Sequence, residues 1–247
     1  MNSVFQSVLD APLFKDINVT DTEYVLSKFS ERFYPKDKVL FQQGDPGLDM
    51  YVVKSGSLKI FRESEGKELI LGHQFPGETI GELEVIHSNN LRLASVATLE
   101  KTILWSIHKT DLEELMNIYP QILRKLFYVV SERLDQADRK LDYLAFLDTR
   151  IRMANLLLDL YSNFGIEDQN GFLIKWKVTH QYLGLMIGVT RESVTLALKE
   201  LQTKQIIIVH NKYITITNLV ALKQLANDQQ DSHGSREWHP SHKYGIN

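Results

Sequence analysis

Residues 180–198 read HQYLGLMIGVTRESVTLAL. Apolar or small residues stand wherever two short helices crossing at a tight turn must touch. Leu183, Ile187, Val194 and Ala197 form that contact, and Gly184 permits close approach of the two backbones. Gly188 supplies the positive φ of the turn, with Val189 plugging beneath it. Thr179 and Thr190 each stand one residue ahead of a helix, where a hydroxyl accepts from an otherwise orphaned N–H. The pattern predicts a helix-turn-helix. The next stretch, QIIIVHNKYITIT at 205–217, alternates Ile214 and Ile216 with polar neighbours. It predicts a hairpin, so the motif is winged.

In a helix-turn-helix the first residues of the second helix reach base edges in the major groove of DNA. Arg191 and Glu192, adjacent and opposite in charge, open that helix. An arginine gives two hydrogen bonds to guanine, while a glutamate accepts from the cytosine amino group. A good bidentate pair contributes about 1–3 kcal/mol of discrimination, against at most about 1 kcal/mol for a surface ion pair. The expected DNA-contacting set is Thr190, Arg191, Glu192, Ser193, Thr195, Leu196 and Lys199, with His180 from the first helix and Lys212 from the wing. Charge distribution agrees. The formal net charge is -3, yet between Gly171 and Thr217 six cations (Lys175, Lys177, Arg191, Lys199, Lys204, Lys212) face two anions, Glu192 and Glu200. A basic module on an acidic remainder suits a polyanionic partner.

Towards the amino terminus, Asp148 is expected to cap a helix with Ile151, Ala154, Leu158 and Tyr161 on one face and Gly165 as its stop. The stretch SNFGIEDQNG, 162–171, is expected to be a polar loop. Further upstream Phe127, Val130, Leu134, Ala137, Leu141 and Leu144 follow one another at alternating spacings of three and four, the seam of a coiled coil. Burying both this seam and Leu126, Val129 and Phe146 within one chain is difficult, so the stripe predicts a long helix paired with its copy in a homodimer. The alternative is that the stripe packs on the chain's own sheet. From about Asp37 to His108 the period is two, with Leu69, Leu71 and Phe75 in one set and Ile103, Trp105 and Ile107 in another. Glycines 44, 56, 66, 77 and 81 punctuate this region, and ESEGKE at 63–68 reads as a hairpin tip. Short strands with regularly spaced turns predict an antiparallel sandwich or roll.

The fold class is therefore α+β. An antiparallel β-roll is expected over 1–110, a long dimerisation helix and hinge over 111–147, and a winged helix-turn-helix over 148–226. The polar stretch 227–247 is expected to be a disordered tail. No run approaches the roughly 18 apolar residues of a membrane span, and MNSVFQSVLDAPLF lacks the layout of a secretory signal. A cytoplasmic protein with no membrane partner is expected. Absence of cysteine excludes disulfide switching, thiolate-bound zinc and cysteine-ligated iron–sulfur clusters. His233, His239 and His242 in the tail are expected to hold no metal. Enzymatic activity is not expected: no nucleophile–base set is visible, and His73, Glu78, Glu82 and His87 lack the spacing of a metal-dependent roll enzyme.

Roll, long helix and winged motif in this order resemble the Crp/Fnr family of bacterial transcription regulators. The likeness covers residues 12–217. It is carried by GDPGLDMYVVKSGSLKIF (44–61), GETIGELEVIHSNNLRLAS (77–95), LAFLDTRIRMANLLLDL (144–160) and GVTRESV (188–194). The resemblance implies a cyclic-nucleotide-binding-like jelly roll and a homodimer on near-palindromic operator DNA with TGTGA-like half-sites. It also implies RNA polymerase as a partner, and a small effector in the roll that shifts the dimer helices. Leu196 stands where cyclic-AMP-type readers carry an arginine, so one operator position is expected to be relaxed, or changed towards a thymine methyl.

The same resemblance implies effector contacts from Gly81, Glu82, Leu83, Arg92, Leu93 and Ala94, with Arg133 joining from the long helix. Three departures oppose cyclic AMP. Glu84 replaces a small residue beside the phosphate-binding turn, and Leu93 replaces a phosphate-contacting alcohol. Ala137 and Asp138 occupy the positions that supply hydroxyls to adenine. A buried polar group left without a partner costs about 1–3 kcal/mol, so cyclic AMP is disfavoured. A different small molecule, an effector-free regulator, cyclic AMP itself and haem on His73 or His87 remain alternatives for the roll. In a different class, the chain would be a nucleotide-binding subunit acting on a protein partner.

Overall fold

The computed structural model describes residues 5–87, 89–169 and 171–226, together with Arg236 and Trp238. The chain forms two compact units, Met1–Arg133 and Leu134–Asn247, which divide inside one helix.

In the first unit a 3-10 turn at Val8–Asp10 and α1 (Thr22–Ser27) precede the strands β1 (Ser30–Tyr34), β2 (Val39–Phe41), β3 (Asp49–Ser55), β4 (Leu58–Ser64), β5 (Lys67–Gln74) and β6 (Thr79–Ile80). The short α2 (Glu82–Ile86) is followed by β7 (Ser95–Thr98) and β8 (Thr102–His108). Two antiparallel sheets result, ordered β1-β8-β3-β6 and β2-β7-β4-β5. This is the expected roll, though pairing starts at Ser30 rather than near Asp37, because β1 lies at the edge of its sheet with a largely exposed pattern. The β4–β5 hairpin turns where expected, on Glu65 and Gly66, both at positive φ as a two-residue turn requires. The period-two pattern separates two cores. Phe41, Val53, Leu58, Ile80, Val96 and Leu104 form one, drawn from both sheets. Met50, Val52, Trp105 and Ile107 join Leu112, Leu115, Ile122 and Leu126 in the other.

Those last residues belong to α3 (Lys109–Ile118) and α4 (Gln121–Phe146). The long helix expected from about 111 is thus two helices. Pro120 has no N–H to continue the first, and it keeps Tyr119 out of the helical region, at φ -124° and ψ 79°. Along α4 the side buried in the roll core is Ile122 and Leu126. Much of the heptad stripe is exposed: Phe127, in the first unit, is 74% exposed, and Leu134 and Leu141, in the second, are each 63% exposed. Ala137 is also exposed, and Val130 and Leu144 are partly buried.

The second unit continues with α5 (Thr149–Phe164), β9 (Gly165–Asp168), β10 (Gly171–Ile174), α6 (His180–Ile187), α7 (Arg191–Thr203), β11 (Ile207–His210), β12 (Tyr213–Ile216) and α8 (Leu219–Leu225). Its sheet has the order β11-β12-β10-β9. Asp148 caps α5 by accepting from the N–H groups of Arg150 and Ile151, and Gly165 ends it, as expected. The polar loop expected after it is instead a strand pairing Gly165–Asp168 with Gly171–Ile174. Ile166 opposite Leu173 gives that pairing an apolar rung. Most of the expected disordered tail lies outside the described residues. Arg236 and Trp238 are an exception, for both dock on α5: Arg236 reaches Asp159 at 2.8 Å, and the Trp238 ring lies 5.4 Å from that of Phe164.

Candidate functional site

The α6–α7 corner has the predicted construction. Thr179 and Thr190 accept from the N–H groups of Tyr182 and Ser193, at 3.1 and 3.2 Å. Gly188 sits at φ 71°, and a Cβ on Gly184 would come within 2.6 Å of the Val189 carbonyl oxygen. Leu183, Ile187, Val194 and Ala197 are buried at the contact. The first turn of α7 is therefore held from beneath. Its outer face presents Arg191, Glu192, Thr195, Leu196 and Lys199, all exposed, with Leu196 at 69%.

Neighbouring charges on the same unit are already engaged. Glu200 accepts from Lys204 at 2.7 Å and from Arg150 at 3.5 Å, and the Lys204 contact holds its carboxyl below the usual range. Arg191, Glu192 and Lys199 make no side-chain hydrogen bond or ion pair among the described residues, so adjacent Arg191 and Glu192 are not a surface salt bridge. Thr195 is partly occupied: its hydroxyl lies 2.9 Å from the Arg191 carbonyl and 2.9 Å from His180 Nδ1. Thr190 and Ser193 share a 3.1 Å hydroxyl contact. Lys212 stands at the tip of the β11–β12 wing, where Asn211 and Lys212 both take positive φ, 51° and 68°. A cleft of about 500 Å³ brings Arg191, His180, Gln181 and Lys212 to one surface. The structure thus places every residue of the expected DNA-contacting set on α7 or its cap, on α6, or on the wing.

The roll holds the second candidate site. Gly81, at φ 86°, starts α2, and Glu82 behind it is fully buried. Arg133 of α4 pairs with Glu82 and donates to the Thr79 carbonyl. Arg92 is also buried. Its Nη2 donates to the Asp49 carbonyl at 2.9 Å, and its guanidinium lies over the Phe41 ring at 4.0 Å. Glycines 47 and 81 leave room for it, since a Cβ on either would come within 2.4 or 2.5 Å of the guanidinium. Glu84, buried as well, takes the Leu93 N–H at 3.0 Å on one oxygen and faces Arg92 Nη1 at 3.5 Å with the other. Leu83 and Ala94 are partly buried, and Leu93 is 39% exposed. Buried polar atoms remain without a hydrogen-bond partner among the described residues: Gln74 Oε1, Thr79 Oγ1, Glu82 Oε2 and the Nε atoms of Arg92 and Arg133. Burial pushes the nearby Glu78 carboxyl well above its usual range, opposed by the Phe75 N–H and the Arg133 charge.

A third polar cluster escaped the sequence. Asp159 on α5 is half-buried between Arg139 of α4 and Arg236. Asn155 joins it, accepting from Arg236 Nη2 at 2.8 Å and from the Tyr143 hydroxyl at 3.2 Å. A signal was present in LLLDL (156–160): an aspartate inside an apolar helical run needs a buried partner. Its partners, 20 and 77 residues away, carried no signal. Among the described residues no group of three or more His, Asp or Glu is placed to hold a metal ion. None of their helices is long and apolar enough to cross a membrane.

A β-roll carrying a buried turn-and-arginine cluster, a helix with an uncovered heptad stripe and a winged helix-turn-helix define a class: a DNA-binding regulator with a sensor-type domain. Residues 31–119 match the cyclic nucleotide-binding domain model, and residues 151–225 the Crp-like helix-turn-helix domain model. The cyclic AMP receptor protein of Thermus thermophilus is 30% identical over 217 residues, 87% of this chain and 97% of that one. The cAMP-activated global transcriptional regulator CRP of Salmonella typhimurium is 31% identical over 196 residues, 78% of this chain and 92% of its own. Among solved structures, the c-di-GMP responsive global regulator CLP of Xanthomonas campestris aligns with a TM-score of 0.71 at 29% identity, over 78% of this chain and 96% of that one. The chain belongs to the Crp/Fnr family of transcription regulators.

Proposed function

We propose that this regulator binds, as a homodimer, a near-palindromic operator with TGTGA-like half-sites, and that its effector, where it has one, is a small molecule other than cyclic AMP. The observation that carries the reading is the state of Arg191 and Glu192. Both are exposed on a helix end pinned by the Thr190 cap, and both lack an internal partner among the described residues. Held in place and unsatisfied, they are equipped to pair with a guanine and a cytosine edge in the major groove. Leu196 offers apolar contact suited to a thymine methyl, so the half-site departs from TGTGA at that position. Lys199 and Lys212 supply phosphate contacts that set position without reading sequence. The stripe from Phe127 to Leu144, with Phe127, Leu134 and Leu141 exposed, is the seam by which two copies associate, delivering two reading helices to half-sites about one helical turn apart. RNA polymerase is the further partner.

The names of two relatives tie them to cyclic AMP, and that of the solved neighbour ties it to c-di-GMP. The present residues do not fit cyclic AMP. The Leu93 N–H is taken by Glu84, which also faces Arg92 Nη1, and Ala137 and Asp138 carry no hydroxyl for the base. Operator selection from random duplexes, with and without a metabolite extract, tests target and effector together. Inverted TGTGA-like repeats with one altered position are the expected outcome. A folded protein that enriches no repeat under either condition would refute the proposal.

A further inference from the structure

Arg92 and the Leu93 N–H converge on a single spot inside the roll, and the carboxylate of Glu84 already stands there. Every feature around Arg92 fixes it in that direction. Glycines 47 and 81 clear its flanks, Phe41 covers its face, and the Asp49 carbonyl holds Nη2. A buried guanidinium requires an anionic or strongly accepting partner. In this chain the partner is part of the same α2 turn, eight residues away in sequence. An anion arriving from solution would have to displace a tethered carboxylate whose effective concentration is set by the fold. Displacement would also leave that carboxylate buried without its N–H donor, beside an incoming negative charge.

We propose that Glu84 is a built-in counter-ion that closes the roll's anion subsite, so that the native regulator takes no nucleotide phosphate there and binds its operator without one. The proposal rests on the sensor-type reading of the roll, and it deepens that reading by naming the ligand class excluded and the residue that excludes it. Glu82 with Arg133 forms a separate pair in the same domain and is not the closing element. The fit of Glu84 to Arg92 is a loose one, at 3.5 Å and through one Nη, as for a surrogate rather than a bidentate salt bridge.

The test compares the full-length native chain with Glu84→Ser and Glu84→Gln by calorimetric titration and thermal unfolding, using cyclic AMP and inorganic pyrophosphate at fixed ionic strength. Serine frees both donors. Glutamine keeps an acceptor for the Leu93 N–H, preserves volume and removes the charge, which guards against a serine variant that fails to fold. Native protein is expected to show no saturable binding and no rise in Tm. Either folded variant is expected to gain affinity for at least one anion by roughly tenfold or more, with a saturable rise in Tm. Two results overturn the proposal: native protein binding either anion as tightly as the variants, or folded variants binding neither. Operator binding by the native chain without nucleotide is scored separately by gel retardation. Its failure on every duplex would reject the DNA-reading assignment and leave the titration result standing.

Discussion

Arg191, Glu192 and Lys199 are the charges on α7 that folding leaves unspent, whereas Glu200 is shared between Lys204 and Arg150. Replacing Arg191 or Glu192 by alanine is expected to remove about 1–3 kcal/mol of preference for the operator over random duplex while leaving weak binding intact. Replacing Lys199 or Lys212 is expected to weaken binding to all sequences alike and to reduce the salt slope by about 1. Competition assays at two salt concentrations separate the two patterns; equal losses on operator and random DNA for Arg191→Ala would reject base reading. A second residue-scale prediction concerns Lys140, which desolvation pulls down to about 8 against the opposing charge of Asp159. An unfolded lysine titrates near 10.4, roughly. Below about pH 8 both states hold the proton and the cost of burial is constant. Between about 8 and 10 the folded chain has released a proton that the unfolded chain keeps, so stability rises with pH. Lys140 retains part of its surface, so the rise is about 1–2 kcal/mol after allowance for solvent screening. Denaturant midpoints should show it for the native chain, and a flat profile for Lys140→Met.

At the scale of elements, the helix-turn-helix was legible because its rules are local. A hydroxyl at a cap, a glycine at positive φ and apolar contacts three or four residues apart act within one or two turns. Gly184→Ala tests the tightest of these contacts. The added Cβ would stand 2.6 Å from a backbone oxygen that cannot rotate away. A loss of about 1–3 kcal/mol is expected, together with weaker operator binding. An unchanged Tm would show that the corner has more freedom than its packing implies. The elements misjudged from sequence failed for identifiable reasons. Heptad periodicity in α4 runs close to α3, so the period alone does not show the break at Tyr119–Pro120 that the proline marks. The strand β9 is polar along most of its length, and it becomes a strand through pairing with β10.

For the molecule as a whole, the uncovered stripe and the reading helix belong together. Large apolar side chains such as Phe127, Leu134 and Leu141 are exposed in register, which suits association through a heptad seam. Leu134→Asp or Leu141→Asp is expected to give a folded monomer that has lost most of its operator affinity, since each copy then offers one half-site contact rather than two. Sedimentation and gel retardation on the same samples check both halves of that statement. An intact dimer after either substitution would move the interface elsewhere.

Length, period, caps and the charge of the 171–217 segment determined that this chain has a roll, a helix with a heptad stripe and a winged reading head, because each depends on neighbours within a few residues. Only the tertiary structure decided what the buried charges do. It set Glu84 on the Leu93 N–H and Arg92, paired Glu82 with Arg133, and enclosed Asp159 between Arg139 and Arg236. Pairs such as Glu82 with Arg133 and Asp159 with Arg236 are too far apart in the chain to leave a periodic trace, and the return of the chain from Glu84 to Arg92 follows no helix or strand period. A buried ion must nevertheless be matched at a particular distance, and folding alone supplies that match.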